Sequence, residues 1–150
     1  MRNLIESFLR VGQRTVAVAV AGLTVGAAWA TQGRSLEVVV TYQGGEVSST
    51  NVIYVTVYDT SNMQGAAQPI AWQVVTENSE TASFSNLTAS PVYVAELYDE
   101  GGNWDWQFGV PSGSPAGRIE DASFAPVAIE LTAGEAVTVE LTFNDAFRMP

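Results

Sequence analysis

Apolar and polar side chains alternate with a period of two along much of the chain after residue 34. The clearest segment is 135–143 (EAVTVELTF), where valine, leucine and phenylalanine alternate with threonine and glutamate. Because successive side chains of a β-strand point to opposite faces, this pattern predicts a strand with one buried and one solvated face. Comparable segments rich in β-branched and aromatic residues predict further strands. The predicted strands span 35–43, 51–59, 70–76, 81–87, 91–99, 126–132 and 135–143.

Clusters of turn-forming residues separate these strands, as in GGE at 44–46 and ENSE at 77–80. Gly134 lies between the last two predicted strands and can take the positive φ of a tight hairpin. No segment after residue 30 has the periodicity of a helix. We therefore predict an all-β fold, an antiparallel Greek-key-like β-sandwich of about seven strands and immunoglobulin-like architecture. The glutamates within the strands are expected on the solvated faces.

The first 30 residues have the order of a secretory signal peptide. A head with three arginines precedes a run of small apolar residues, and the sequence Ala28-Trp29-Ala30 follows. The apolar run is shorter than the roughly 20 residues of a membrane span, although an N-terminal anchor is the alternative. We predict a cleaved signal peptide at 1–30, a single domain at 31–150 and no membrane span after cleavage. The protein is then expected in the periplasm or outside the cell.

The composition narrows the possible chemistry. The chain has no lysine, histidine or cysteine, and its formal net charge is −10. Without residues 1–30 it keeps 15 of its 16 acidic residues and three of its six arginines, for a net charge of −12. Such a surface repels nucleic acid, so no nucleic-acid partner is expected. The missing side chains exclude disulfides and metal sites built on imidazole or thiolate.

The absence of histidine, cysteine and lysine also argues against catalysis, because these residues supply the common bases and nucleophiles. We predict that the protein is not an enzyme. A carboxylate-dependent hydrolase is the least favoured alternative, since it would need two carboxylates facing each other across a cleft.

Three segments resemble bacterial carboxypeptidase-regulatory-like, or transthyretin-like, exported β-sandwich domains. Residues 84–99 (FSNLTASPVYVAELYD) are similar to the central signature of that family, and 99–105 (DEGGNWD) to its Asp/Asn/Gly-rich loop. Residues 129–145 are similar to its closing hairpin. The resemblance implies a seven-stranded sandwich that binds, spaces or anchors. Its recurring positions here would be Phe84, Leu87, the turn Ala89-Ser90, and Tyr93.

The segment 97–115 (LYDEGGNWDWQFGVPSGSP) carries the candidate site residues. Asp99, Asn103 and Asp105 place three oxygen donors within seven residues, next to two glycines that let the chain curl. Calcium prefers oxygen ligands, so these residues predict a calcium loop of non-EF-hand type. The alternative is a turn, in which Asp, Asn and Gly are common for conformational reasons. Further carboxylates for such a loop would come from Glu100, Asp121 or Asp145.

The same segment alternates aromatic and polar side chains. Trp104, Trp106 and Phe108 would share one face of an extended segment, with Gln107 among the polar residues of the other face. An exposed aromatic row flanked by polar groups can stack on sugar rings and bind their hydroxyls. A row of this kind can also be the buried face of a strand, and the sequence leaves both interpretations open.

Together these observations predict an exported, acidic, non-catalytic binding or structural module. The partner would be a polysaccharide held by the aromatic residues, or another exported protein. A calcium-stabilised structural or adhesion module is the alternative.

Overall fold

The computed structural model describes residues 33–63, 67–102, 104 and 110–150. The predicted signal peptide lies outside these residues. The described strands are β1 (Arg34–Tyr42), β2 (Val52–Tyr58), β3 (Ala71–Val75), β4 (Thr81–Leu87), β5 (Tyr93–Asp99), β6 (Ala116–Arg118) and β7 (Ala136–Phe143).

The strands form two sheets, a three-stranded one in the order β4-β1-β7 and a four-stranded one in the order β3-β2-β5-β6. No helix occurs in the described part of the chain. The predicted all-β sandwich of seven strands is confirmed. Strands β3 and β4 lie next to each other at one side of the sandwich, and β6 and β7 at the other. We refer to these as the β3–β4 side and the β6–β7 side.

Two strand predictions were wrong. Residues 126–132 form no strand; Ile129 makes an isolated bridge with Val92, and Pro126 makes one with Glu120. The alternation in this segment still places Ile129 in the core, so it marks an extended, half-buried connection. Strand β6 was not predicted, because its three residues include a glycine and show no alternation of apolar and polar side chains.

The predicted closing hairpin was also wrong. Gly134 does take a positive φ of 81°, as the turn requires. However, β7 pairs with β1 in parallel, from Ser35 opposite Ala136 to Tyr42 opposite Phe143. The preceding segment does not pair with β7, because its bridge partner lies next to β5. The other four strand pairs are antiparallel, as predicted.

The core lies between the two sheets and consists of alternate residues of the strands. In β2, Ile53, Val55 and Val57 are fully buried, as the alternation predicted. Burying one such side chain stabilises the fold by about 1.5–3 kcal/mol relative to leaving it in water. The three-stranded sheet contributes Leu36, Val38, Val40, Ala82, Phe84, Leu141 and Phe143.

One prediction about the faces was wrong. Glu96 was expected on a solvated face, but it lies on the inner face of β5 and is only 3% exposed. Its neighbours at alternate positions, Val94 and Tyr98, are also buried. The glutamates of the last predicted strands, Glu130 and Glu140, are exposed as expected.

Candidate functional site

The outer face of the four-stranded sheet carries aromatic side chains. Since Ile53 and Val55 point into the core, Tyr54 between them points to the opposite face. Tyr54 is in register with Val74 of β3, and Thr56 is in register with Trp72. Paired residues of an antiparallel sheet share a face, so Trp72 and Val74 lie on the outer face beside Tyr54.

Three rings meet on this surface. The Tyr54 ring contacts that of Trp104 edge to face, with centroids 4.4 Å apart and an interplanar angle of 85°. The Trp72 ring also lies near Tyr54, with a distance of 6.1 Å between the two ring centroids. Edge-to-face contacts of this kind add about 0.5–1.5 kcal/mol to the burial of the rings. We call the surface formed by Tyr54, Trp72 and Trp104 the aromatic face.

Trp72 is the most accessible ring of the aromatic face, with 48% of its surface exposed. Ile70 and Val74 flank it and are exposed as well. Large apolar side chains usually bury in the core, and contiguous exposed ones mark binding surfaces. These three residues alternate with the others of the predicted strand 70–76 and so share one of its sides. The sequence alone could not tell that this side faces solvent.

A tight turn at the end of β5 positions Trp104. Its backbone N–H donates a hydrogen bond to Oδ2 of Asp99, at 2.8 Å. Asp99 is 1% exposed. Burial of the Tyr54 ring raises the pKa of Tyr54, and the charge of Asp99 adds to this effect. Burial of the ring is the larger of these two effects. Gly101 and Gly102 form the turn with φ values of 93° and 59°. These φ values favour glycine, and Trp104 is thereby held against β2.

The structure describes only some of the predicted site residues. Trp104 of the predicted aromatic row lies on the aromatic face, whereas Trp106, Gln107 and Phe108 lie outside the described residues. Tyr54 and Trp72 were missed as site residues. The available signal was that both faces of 52–58 are apolar or aromatic, which is unusual for a strand with one solvated face.

The predicted calcium loop is represented by Asp99 alone, because Asn103 and Asp105 lie outside the described residues. In the ranges that the structure describes, no three Asp or Glu side chains come close enough to hold a metal ion. Of the carboxylates named for such a loop, Asp121 accepts hydrogen bonds from Ser123 and Ala125 of its own turn. The calcium site stays a prediction.

A polar cavity of about 360 Å³ opens at the end of the sandwich where β5 and β7 terminate. Tyr42 and Tyr98 stack there with centroids 4.3 Å apart, and Glu46, Glu100 and Asp145 are among the lining residues. The Tyr42 hydroxyl donates to Asp145, which lowers the pKa of that carboxyl. A carboxyl held in its ionised form cannot be the proton donor that glycoside hydrolysis needs.

The described residues contain no helix of the length and apolarity that a membrane crossing requires. No family model, curated protein or solved structure matches this chain. The resemblance to transthyretin-like domains therefore stays a prediction.

Proposed function

We propose that this chain is an exported, non-catalytic binding module that holds a polysaccharide on its aromatic face. The observation that carries the proposal is the half-exposed Trp72 next to Tyr54, whose ring in turn contacts that of Trp104. Aromatic rings offer flat apolar surface to the C–H faces of sugar rings, and polar groups at their edges bind hydroxyls.

Phenol groups supply such polar positions beside the rings. Tyr58 has the same orientation in β2 as Tyr54 and is in register with Tyr93 of β5. Both side chains are half-buried on the outer face, so their rings extend the aromatic face along the sheet. A phenol hydroxyl both donates and accepts hydrogen bonds, as sugar hydroxyls do. The combination suits an uncharged sugar chain better than a purely apolar partner.

The alternative is another exported protein that adds a strand to the edge of the sheet at β3. The side chain of Gln73 bonds both backbone groups of Ser83 in β4, at 2.5 and 2.9 Å. This contact fastens the edge strand β3 to the opposite sheet, which hinders the approach of an added strand. The aromatic face lies away from this contact and stays accessible.

Tryptophan fluorescence and affinity electrophoresis with soluble neutral polysaccharides test the proposal. Trp72→Ala is expected to weaken binding at least about tenfold while changing the stability by about 0.5 kcal/mol or less, as exposed sites do. Phe124→Ala is the matched control, because Phe124 is 72% exposed but lies on the loop after β6, three strands from β3. Equal binding by both variants, or no binding by the unmodified protein to any neutral polysaccharide, would contradict the proposal.

A further inference from the structure

Glu96 is a buried carboxyl on the inner face of β5, in register with Val55 of β2 and Gly117 of β6. Both of its carboxyl oxygens are inaccessible, and neither has a hydrogen-bond partner in the part of the chain that the structure describes. Buried polar groups are nearly always paired, so an unpaired one in the core requires a physical explanation.

The carboxyl fills a narrow space at the β6–β7 side. A Cβ on Gly117 would overlap Oε1 of Glu96 and would lie 3.0 Å from the Cβ of Phe143 in β7. Only glycine therefore leaves room for the carboxyl between these two strands. Backbone hydrogen bonds join this side next to the carboxyl, from the Ala116 amide to the Phe147 carbonyl and from the Met149 amide to the Ser114 carbonyl.

Within the described ranges, no basic group offsets the charge of this carboxyl. Val55 from β2 and Phe143 from β7 are apolar, and Tyr98 of its own strand donates its hydroxyl to the carbonyl of Glu46. The segment after β6 contributes Glu120, which pairs with Arg118 at 3.1 Å on the exposed side. Burial raises the pKa of Glu96 well above its usual value, and the negative charge of Glu120 adds to this. The carboxyl is accordingly neutral in the closed structure at mildly acidic pH.

We propose that Glu96 makes the β6–β7 side a proton-controlled seam, closed while the carboxyl keeps its proton and opened when the proton is lost. An ionised carboxylate cannot remain in an apolar space without a partner, so water must enter or β6 must move away from β7. The segments on either side of β6 would be released together with it. The device is independent of the aromatic face and of the proposed function.

The sign of the pH dependence follows from the raised pKa. The folded state binds the Glu96 proton more tightly than the unfolded state, whose carboxyl has the ordinary pKa of 4.5. This contribution to stability is complete below pH 4.5 and is lost as the pH rises through the pKa of the folded state. Asp121 and Asp145, whose pKa values are lowered, contribute with the opposite sign at lower pH.

Denaturant unfolding from about pH 4 to about pH 9 tests the seam by comparing the unmodified protein with Glu96→Gln. Between pH 4.5 and the pKa of Glu96 in the folded state, each pH unit should lower the folding equilibrium constant of the unmodified protein by up to about tenfold relative to the variant. The opposing carboxylates are present in both proteins, so their effect cancels. Glu140→Gln, at an exposed position of β7, is the control and should keep the slope of the unmodified protein.

Amide hydrogen exchange locates the effect. The Ile119 amide donates to the Val94 carbonyl next to β6, and the Ser83 amide bonds Gln73 at the β3–β4 side. On raising the pH, Ile119 should lose protection beyond the ordinary base catalysis of exchange, and Ser83 should not. Should Glu96→Gln fail to fold, the carbon-detected NMR titration of Glu96 in the unmodified protein replaces it. Titration near pH 4.5, parallel slopes, or equal loss of protection at both amides would overturn the proposal.

Discussion

The two sides of the sandwich accommodate an inward-facing polar side chain in opposite ways. Gln73 and Glu96 are both in register with Val55, one on each side of it, and therefore belong to the same inner row of the four-stranded sheet. Gln73 lies on the edge strand β3 and reaches across to β4, where its amide pairs with both backbone groups of Ser83. Glu96 lies one strand in from the other edge, and its carboxyl has no hydrogen-bond partner among the residues described.

The difference shows how position and chemistry together decide whether an inner polar group stabilises a sandwich. A glutamine amide donates and accepts at once, so it can replace a strand backbone at the edge of β4. A neutral carboxyl could do the same, but neither carboxyl oxygen of Glu96 has a hydrogen-bond partner among the described residues. The inner polar side chain therefore fastens the β3–β4 side, whereas on the β6–β7 side backbone bonds to the segment after β7 close the sandwich next to a protonated acid.

The largest effect is expected from Gly117→Ala, which adds a methyl group to the closely packed β6–β7 side. The new Cβ would overlap the Glu96 carboxyl and press on Phe143, so either the acid or β6 must shift. We expect a loss of about 1–3 kcal/mol of unfolding free energy, the usual cost of overpacking, measured by denaturant unfolding. Gly45→Ala is the control, because its Cβ would meet only the rings of Tyr42 and Tyr98 at ordinary contact distances.

A double variant sharpens this prediction. If the Glu96 carboxyl is what the new methyl group strikes, Glu96→Ala should remove the overlap. The cost of Gly117→Ala in that background should then be clearly smaller, which gives a non-additive cycle of about 0.5 kcal/mol or more. Strict additivity would show that the two residues do not share the space between β6 and β7.

A smaller effect is expected on the other side from Gln73→Ala. The change removes two hydrogen bonds to the backbone of Ser83, at a site that water can reach. We expect a loss of about 1 kcal/mol, since solvent replaces part of the lost pairing. Gln73→Glu should cost at least as much, because a carboxylate accepts from the Ser83 amide but repels the Ser83 carbonyl oxygen. The solvent-exposed Gln43→Ala serves as the reference, and a Gln73→Ala variant as stable as it would contradict the prediction.

Six of the seven described strands could be predicted from the sequence, but only part of their arrangement. Alternation is a local property, so β1, β2 and β7 could be located from the residues alone. Pairing is not local: the turn at Gly134 has the φ expected of a hairpin, yet β7 runs parallel to β1 about 100 residues away in sequence. For the same reason β6, which is a strand only through its pairing with β5, left no signal.

The candidate site was predictable to a similar degree. Trp104 was identified by its place in a run of alternating aromatic residues, but the rings it joins lie on β2 and β3 and become its neighbours only in the folded sheet. Glu96 was misplaced because a glutamate in a strand is normally solvated. The alternation of β5 does place it with Val94 and Tyr98, so here the pattern was a better guide than the polarity of the residue.

The smallest effect concerns the end of the β6–β7 side, where Tyr42 donates its hydroxyl to Asp145 just after β7. This hydrogen bond is the main reason that the pKa of Asp145 is lowered, with a further contribution from Arg148. The associated stability is present above the ordinary pKa of 3.8 and is lost as the pH falls through the pKa of the folded state.

In Tyr42→Phe, the Asp145 pKa should rise towards its ordinary value in a carbon-detected NMR titration. Tyr98→Phe removes a hydroxyl that bonds the Glu46 carbonyl instead, so it should leave Asp145 nearly unchanged. If both variants moved the Asp145 pKa equally, the charge of Arg148 or loosened packing of the stacked rings would be the cause. In the first case the ion pair in which Nη2 of Arg148 lies 2.7 Å from Oδ2 of Asp145 would by itself keep this carboxyl ionised.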